Sequence, residues 1–307
     1  MPEQKQPHYL GIDIGGSAVK YGYGISGQQL IRYERVLLPD NTLQSLQSAI
    51  STILKVTDEQ VGLGNLAGIG MGTPGTIDFK TGRLVGVNPN LPEWVNLDPA
   101  CLFPVELRSR LHIDNDANLM ALAEAVSAQE HSHVIGVTIG SGIGCGFVAN
   151  RELYHGAHGF AMELGHNIAV SGGERCNCGK DGCLEAYASV NGLLNIIRKT
   201  MMAIPLSNMQ DILDLVKREA GINTLIERSL SYLSTAIANL AINLDADLIV
   251  LGGGVVELED YPFDLLREKI LDSLTELIKT KIVIRKARFG NRAGVIGAIC
   301  LAQNADR

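Results

Sequence analysis

Residues 10–30, LGIDIGGSAVKYGYGISGQQL, and residues 135–153, IGVTIGSGIGCGFVANREL, are two versions of one pattern. Each begins with an apolar strand, passes through a glycine turn and continues into a second apolar segment. Four positions correspond between them: Gly11 with Gly136, Ile12 with Val137, Ile14 with Ile139 and Gly15 with Gly140. The repeat predicts a duplicated α/β fold in which one such unit opens each half of the chain.

The glycine turns of this repeat are candidates for binding phosphate. Asp13 stands at the end of the first strand, and Gly15, Gly16, Ser17 and Lys20 follow it. Backbone N–H groups in a glycine turn can approach phosphates that side chains would block. The turn lacks the G-x-x-x-x-G-K-[ST] pattern of a P-loop, so on its own an ordinary hairpin turn explains it. The second copy favours two phosphate-binding turns facing one cleft.

The stretch ELGHNIAVSGGERCNCGKDGCLE, residues 163–185, is the most chemically distinctive part of the chain. It contains four residues that bind metals in closed zinc sites of the Cys3His type: His166, Cys176, Cys178 and Cys183. Gly179 and Gly182 would let the chain turn tightly around a metal. Disulfides, buried apolar cysteines and free redox thiols are the alternatives. Because nothing indicates an oxidising compartment, the spacing predicts a structural zinc ion.

Asn115 and Asp116 lie between a predicted strand, which ends the segment 105–114, and a predicted helix that begins at residue 117. Both residue types are favoured as helix caps. The functional alternative is a carboxylate at the C-terminal edge of a sheet, facing the cleft. The local pattern leaves both interpretations open.

Length and charge limit the class of protein. A chain of 307 residues exceeds the size at which one core usually stops growing, so we expect two domains. A net charge of −7 argues against a nucleic-acid surface, which needs clustered Lys and Arg. The sequence has no apolar run of about 18 residues, so we expect no membrane span. The first ten residues lack the apolar core of a signal peptide, and we therefore expect a cytoplasmic protein.

The remaining elements follow from periodicity. Apolar steps of three and four predict a helix over 41–58, further helices over 183–201 and 207–219, and a long one over 224–244 that supplies a core or dimer face. Buried strands are predicted at 67–72, 248–253 and 281–289. A third glycine turn, residues 252–254, follows a buried strand and opens toward a helix, which suits a nucleotide contact. Trp94, Cys101, Cys145 and Cys300 are expected in the core.

The motifs E-x-G-H at 163–166 and C-x-C-G-x-x-G-C-x-E at 176–185, nine residues apart, resemble the signature of the ROK family of sugar kinases and sugar-responsive repressors. The resemblance extends from Gly11 to Ala302. It implies duplicated actin-like ATPase (ribonuclease H-like) domains with a cleft between them. The expected N-terminal domain is 1–117, completed by the C-terminal helix 292–307. The expected C-terminal domain, 118–291, carries the zinc segment and a dimer face.

The resemblance also implies roles for individual residues. Asp116, in Asn-Asp-Ala-Asn, would be the general base that takes a proton from a sugar hydroxyl. The implied sugar ligands are Gly72, Asn90, Asn115, Asp116, Glu163, His166 and Glu185, with His166 also binding zinc. Without the resemblance, a solvated loop and a helix-start charge would explain the two glutamates. Met162 is a departure, because the family usually has a small residue there, and it leaves the substrate open.

ATP and Mg²⁺ are the cofactors that the resemblance implies. Asp13 would act near Mg²⁺ through water, since this ion prefers carboxylates and retained waters. The third glycine turn would contact the adenosine. The implied nucleotide contacts are Asp13, Gly15, Gly16, Ser17, Lys20, Thr138, Gly140, Ser141, Gly142, Gly144, Gly253 and Gly254.

These expectations together describe an ATP-dependent kinase that phosphorylates a hexose, with glucose as the first choice. N-acetylglucosamine, N-acetylmannosamine, fructose and allose are alternative substrates, and polyphosphate is an alternative donor. A sugar-responsive regulator needs a DNA-binding domain ahead of the first strand, and only nine residues precede Leu10. A sugar-binding protein without activity is disfavoured by the presence of Asp13, Asp116 and the glycine turns. We expect small-molecule partners, no nucleic acid or membrane, and a homodimer.

Overall fold

The structure is a computed structural model that describes residues 6–27, 29–85, 92–200 and 205–305. Its strands are β1 (His8–Ile14), β2 (Ala18–Ser26), β3 (Gln29–Leu37), β4 (Leu66–Thr73), β5 (Thr76–Asp78), β6 (Arg83–Val85), β7 (Leu111–Asn115), β8 (His133–Ile139), β9 (Ile143–Ala149), β10 (Glu152–Leu153), β11 (Leu248–Gly252) and β12 (Val283–Lys286). Its α-helices are α1 (Leu43–Gln60), α2 (Asp116–Ser127), α3 (Glu185–Ala188), α4 (Val190–Thr200), α5 (Met209–Val216), α6 (Ala220–Leu244), α7 (Phe263–Asp272), α8 (Glu276–Lys279) and α9 (Ala293–Ala305).

Contacts divide the chain into two compact units. The first comprises the chain up to Gln129, the segment Arg151–Ala161 and the chain from Asn291 onward, and the second comprises Glu130–Asn150 and Met162–Gly290. The domain boundary that the sequence placed after residue 117 falls inside α2. The structure instead keeps all of α2 in the first unit, because α2 packs along α9.

The first unit is built on a five-stranded sheet of order β3-β2-β1-β4-β7. Strands β1, β2 and β3 pair antiparallel, whereas β4 pairs parallel with both β1 and β7. Helix α9 lies against this sheet at glycines, and a Cβ added at Gly11 or Gly70 would overlap the α9 backbone at Val295 or Ala298. These glycines therefore allow the close helix–sheet contact that brings the C-terminal helix onto the N-terminal strands.

The second unit repeats the β2-β1-β4-β7 part of this topology. Its strands lie in the order β9-β8-β11-β12, with β8 and β9 antiparallel and the other two pairs parallel. The two hairpins also agree in register, since Gly11 is opposite Gly22 in the first and Gly136 is opposite Gly146 in the second. The duplicated α/β fold predicted from the repeat is confirmed.

Several helices differ from their predicted bounds. The segment predicted as one helix over 183–201 is divided at Ser189, whose extended backbone (ψ 162°) ends α3. The chain before β7 forms a 3-10 helix, Val105–Arg110. The apolar face of α6 is buried in the core of the second unit through Ile226, Leu230, Leu233 and Ile237. Core packing therefore accounts for this face, which no longer argues for a dimer. Within the described ranges, no helix is long and apolar enough to span a bilayer.

Candidate functional site

The four predicted metal ligands converge in the second unit. The ligand atoms of His166, Cys176, Cys178 and Cys183 all lie within 4.8 Å of one another. The Sγ of Cys176 is 3.7 Å from Nδ1 of His166, and the Sγ of Cys178 is 3.6 Å from that of Cys183. A tetrahedral metal with bonds of about 2.3 Å to sulfur separates its ligands by about 3.8 Å. The cluster fits such an ion, and no cysteine in it forms a disulfide.

The backbone around this cluster requires its glycines. Gly179 and Gly182 adopt φ values of 91° and 85°, in the left-handed region that favours glycine. A Cβ at Gly182 would also overlap the carbonyl oxygen of Val170. Isolated bridges pair Ile168 with Cys183 and Arg175 with Asp181. The bridges and glycines therefore bring the ligand-bearing segments close together, and a metal would hold the four ligands in place.

Asn115, the last residue of β7, caps α2. Its Oδ1 accepts hydrogen bonds from the N–H groups of Ala117 at 2.8 Å and Asn118 at 3.4 Å, and its Nδ2 donates to the Gly75 carbonyl at 3.0 Å. The two interpretations of Asn115 and Asp116 therefore separate. Asn115 fills the capping role, and the carboxyl of Asp116, the first residue of α2, accepts from the adjacent Ala117 N–H and not from the capping positions that Asn115 serves.

The carboxyl of Asp116 is held in an unusual electrostatic environment. The residue is open to solvent, yet closely surrounding protein desolvates the carboxyl and, together with the negative charge of Asp13, raises its pKa to about 7. The Ala117 N–H opposes this increase. Exposure of the residue would favour an ordinary pKa, whereas desolvation of the carboxyl raises it. The pKa of Asp116 is raised, because repulsion from Asp13 disfavours a second negative charge. A carboxyl of this kind suits proton transfer near neutral pH.

Asp13 lies at the C-terminal end of β1, in line with the ends of β4 and β7. It is opposite Gly72 of β4, which in turn is opposite Asp114 of β7. The Asp13 residue is only 8% exposed, and burial raises its pKa against the opposing effect of Lys20, whose Nζ is 3.2 Å from Oδ2. A Cβ added at Gly294 would come within 2.7 Å of Asp13 Oδ2. The fold thus reserves space for this carboxylate next to α9.

The hairpin turn after β1 is short and open. Gly15 donates its N–H to the Ala18 carbonyl at 3.0 Å, and the Ser17 carbonyl accepts from Leu38. A Cβ added at Gly16 would meet no atom within 4 Å. The first unit therefore brings together the predicted residues of β1, its turn, β2, β4, β7 and the start of α2: Asp13, Gly15, Gly16, Ser17, Lys20, Gly72, Asn115 and Asp116.

A pair that the sequence analysis missed lies beside these residues. Nε2 of His155 is 2.6 Å from Oδ2 of Asp114, and Asp114 Oδ1 accepts from Asn118 Nδ2 and from the Asn115 N–H. The Asp114 side chain is 3% exposed. The His155 ring also packs against Phe79, with ring centroids 4.4 Å apart. The only sequence signal was a histidine in the glycine-rich loop before the zinc segment.

The second unit carries the other glycine turn. Gly140 donates its N–H to the Gly142 carbonyl at 3.0 Å, and a Cβ at Gly140 would meet no atom within 4 Å. Thr138, opposite Gly144, and Ser141 belong to the same hairpin. The third turn packs against it, since Gly253, at φ 94°, lies against the backbone of Ile139. Gly254 has open space. The predicted helix after this turn is absent, because α7 begins only at Phe263.

Glu185 is already engaged within the second unit. Its Oε2 accepts a hydrogen bond from the N–H of Ile143, the first residue of β9, at 2.9 Å. Glu163 lies just before a short 3-10 helix, Leu164–His166, and this helix packs on β9. Glu185 therefore has one carboxylate oxygen committed to the backbone and the other left for a ligand.

Three further predicted residues have different outcomes. Asn90 lies outside the described residues. Trp94 is 0% exposed, which confirms its place in the core. Met162 adopts φ 66°, a left-handed conformation costly for a side chain, and packs against the apolar core of the second unit.

The sequence is similar to known sugar kinases along almost its full length. It is 28% identical to a glucokinase of Thermotoga maritima over 97% of each chain. It is 28% identical to an N-acetyl-D-glucosamine kinase of Histophilus somni over 97% of this chain and 100% of that one.

Two crystal structures share the fold. A ROK hexokinase from Thermus thermophilus is 27% identical with a TM-score of 0.83, covering 97% of this chain and 98% of that one. A ROK family glucokinase from Streptomyces griseus, solved with glucose and AMPPNP, is 25% identical with a TM-score of 0.79, covering 97% and 99%. The predicted actin-like ATPase fold is confirmed. Because the ROK family pattern matches residues 9–305, the chain belongs to the ROK family.

Proposed function

We propose that this protein is an ATP-dependent sugar kinase that transfers the γ-phosphoryl group of ATP to a hydroxyl of a hexose, with glucose as the first candidate. The observation that carries the proposal is Asp116. Its carboxyl is not the cap of α2, it stands at the C-terminal end of a parallel strand, and its pKa is raised to about 7. A general base works best when its pKa lies near the operating pH.

In the proposed reaction, the Asp116 carboxylate accepts the proton of the attacking sugar hydroxyl. The hydroxyl oxygen forms a bond to the γ-phosphorus, the bond from that phosphorus to the β–γ bridging oxygen breaks, and ADP leaves. Asn115, the residue before the base, orients the sugar, because its side chain is fixed between the start of α2 and Gly75. Gly72, Asn90, Glu163, His166 and Glu185 are the other proposed sugar ligands.

The glycine turns are the proposed phosphate contacts. Gly16, Gly140 and Gly254 each have open space where a side chain would stand, so a phosphate oxygen can approach their backbone. Asp13 is the carboxylate proposed to lie near Mg²⁺, which offsets phosphate charge when it is bound. Lys20, now paired with Asp13, supplies a further positive charge. The other proposed nucleotide contacts are Gly15, Ser17, Thr138, Ser141, Gly142, Gly144 and Gly253.

A structural zinc ion is proposed at His166, Cys176, Cys178 and Cys183. The spacing of the four ligand atoms supports it, as does a donor set of one nitrogen and three sulfurs. Zinc would fix the segment between Glu163 and Glu185. A cytoplasmic location and a homodimer stay predictions.

N-acetylglucosamine is the second candidate substrate. The relative named for that activity is as similar to this chain, at 28% identity, as the relative named glucokinase. The two sugars differ at the 2-position, where an acetamido group needs more space than a hydroxyl. Met162 turns toward the core of its own unit, so it gives no reason to exclude the larger sugar.

The proposal is tested by measuring ADP release with Mg-ATP over a panel containing glucose, N-acetylglucosamine, N-acetylmannosamine, fructose and allose. We expect sugar-dependent ADP release, highest kcat/KM with glucose, and formation of a sugar phosphate in equal amount. A parallel series with polyphosphate tests the donor. A protein that releases no ADP with any sugar, while binding sugar normally, would contradict the kinase assignment.

A further inference from the structure

The Cys3His cluster and the β8–β9 glycine turn are joined through one residue, Ile143. The N–H of Ile143, where the turn enters β9, donates to Oε2 of Glu185 at 2.9 Å. On its other side, the Ile143 carbonyl oxygen lies so close to Gly165 that a Cβ there would overlap it. Ile143 is thus held through its N–H by Glu185 and packed at its C=O against Gly165.

The two residues that hold Ile143 flank the metal ligands. Gly165 immediately precedes His166, and Glu185 follows Cys183 by two positions. The cluster brings His166 and Cys183 together across the loop, and the Leu184 N–H donates to the Asn167 carbonyl at 2.8 Å. Closing the cluster therefore fixes the distance between Gly165 and Glu185. It thereby also fixes the contacts of these two residues with Ile143.

Glycine at position 142 is needed for this contact. A Cβ at Gly142 would come 2.6 Å from Oε2 of Glu185, displacing the carboxylate from the Ile143 N–H. The turn is tied a second time by the Val190 N–H, which donates to the Gly140 carbonyl at 2.9 Å. Ser189, just before Val190, donates its hydroxyl to the carbonyl of Glu185 at 2.7 Å. The helical segment after the cluster thus reaches both ends of the turn.

We propose that Glu185 is a positioning residue that links the Cys3His cluster to the β8–β9 glycine turn, so that metal occupancy and nucleotide affinity are coupled. The inference rests on the proposed function, in which this turn binds phosphate. A bond that holds the turn in its binding-competent conformation raises apparent affinity by raising the fraction of competent molecules. Coupling between two bound ligands is reciprocal, so nucleotide must also strengthen metal binding.

The first test measures AMP-PNP binding with Mg²⁺, without sugar, by calorimetry on the zinc-loaded protein. Glu185→Ala removes the acceptor for the Ile143 N–H and should weaken AMP-PNP binding about tenfold. Glu185→Gln keeps an acceptor oxygen and should stay within about threefold of wild type. Glu174→Ala is the matched control, since this loop glutamate pairs with Lys199 and does not contact the turn. A role confined to sugar binding would leave all affinities for AMP-PNP equal.

The second test measures zinc affinity by competition with a chromogenic chelator. Saturating AMP-PNP should raise zinc affinity about tenfold in wild type and leave it unchanged in Glu185→Ala. If Glu185→Ala does not fold, Gly142→Ala displaces the same carboxylate, and amide exchange at Ile143 is then the readout, because Gly142 is itself a proposed nucleotide contact. Amide hydrogen exchange at Ile143 should be faster in either variant.

The outcomes separate the two proposals. If the wild-type protein binds no AMP-PNP, the kinase assignment is contradicted. If amide exchange at Ile143 is also the same in Glu185→Ala as in wild type, the role of Glu185 is overturned as well. Wild type that binds AMP-PNP, with Glu185→Ala binding it equally well, overturns the coupling alone. The coupling is also overturned if AMP-PNP leaves the zinc affinity of the wild-type protein unchanged.

Discussion

Replacement of Asp116 by asparagine should remove most of the turnover and leave the fold intact. The capping bonds of α2 go to Asn115, and the carboxyl of Asp116 accepts from its neighbour Ala117. An asparagine keeps an oxygen in that place. A positioned general base contributes about 10²–10⁴-fold in rate, so kcat should fall by about that factor while sugar affinity falls much less.

The raised pKa of Asp116 sets a pH dependence that can be worked out in advance. With a pKa of about 7, about 10% of the carboxyl is ionised at pH 6 and about 90% at pH 8, so kcat/KM should rise about ninefold or tenfold between them. An ordinary aspartate would be ionised at both values and would give a flat profile. Asp116→Asn should abolish the rise along with the activity.

The pH dependence of folding stability tests the raised pKa of Asp116 independently of activity. A carboxyl whose folded pKa is raised binds its proton more tightly in the folded state than in the unfolded state. Ionisation of this carboxyl therefore destabilises the folded state. The destabilisation is absent below the unfolded pKa of about 3.9, grows as the pH rises above that value and is complete above about pH 7. Asp116→Asn removes this effect, so its melting temperature at pH 8 should equal or exceed that of wild type.

The assay is a pair of kcat/KM profiles from pH 5.5 to 8.5 at constant Mg²⁺, with a thermal melt at pH 8. Asp98→Asn is the matched control, because Asp98 is an exposed carboxylate that caps a short 3-10 helix, where asparagine caps as well. The control should keep both activity and profile. Turnover of Asp116→Asn within about threefold of wild type would remove Asp116 from the reaction, since a base contributes far more.

Three further predictions concern the Cys3His cluster, the β8–β9 glycine turn and the pair formed by His155 and Asp114. Elemental analysis should find about one zinc per chain, and Cys176→Ser should lose it together with sugar affinity; metal-free native protein would contradict the site. Gly140→Val has room to fold and should weaken ATP binding at least about tenfold by calorimetry, whereas Gly64→Val, equally open, should not. His155→Ala leaves the buried Asp114 with one partner fewer and should cost about 1.5–3 kcal/mol in denaturant unfolding, against no change if the contact is incidental.

The sequence alone determined the features that neighbouring residues encode. Alternating apolar strands and glycine turns in 10–30 and 135–153 predicted the two sheets, because burial of strands and tight turns depends on local pattern. Four metal ligands within a short stretch predicted the Cys3His cluster for the same reason. The helix over 224–244 was equally visible, and the structure extends it to begin at Ala220.

Tertiary structure decided what depends on residues far apart in the chain. The partner of Glu185 is an N–H group 42 residues away, and His155 meets Asp114 across 41 residues. No local pattern specifies such contacts, because they arise when separate strands and loops pack together. The pKa of Asp116 belongs to the same class, since desolvation by the surrounding protein and the charge of Asp13 on β1 set it. The sequence could name Asp116 as cap or base, and only the folded chain gave the capping role to Asn115.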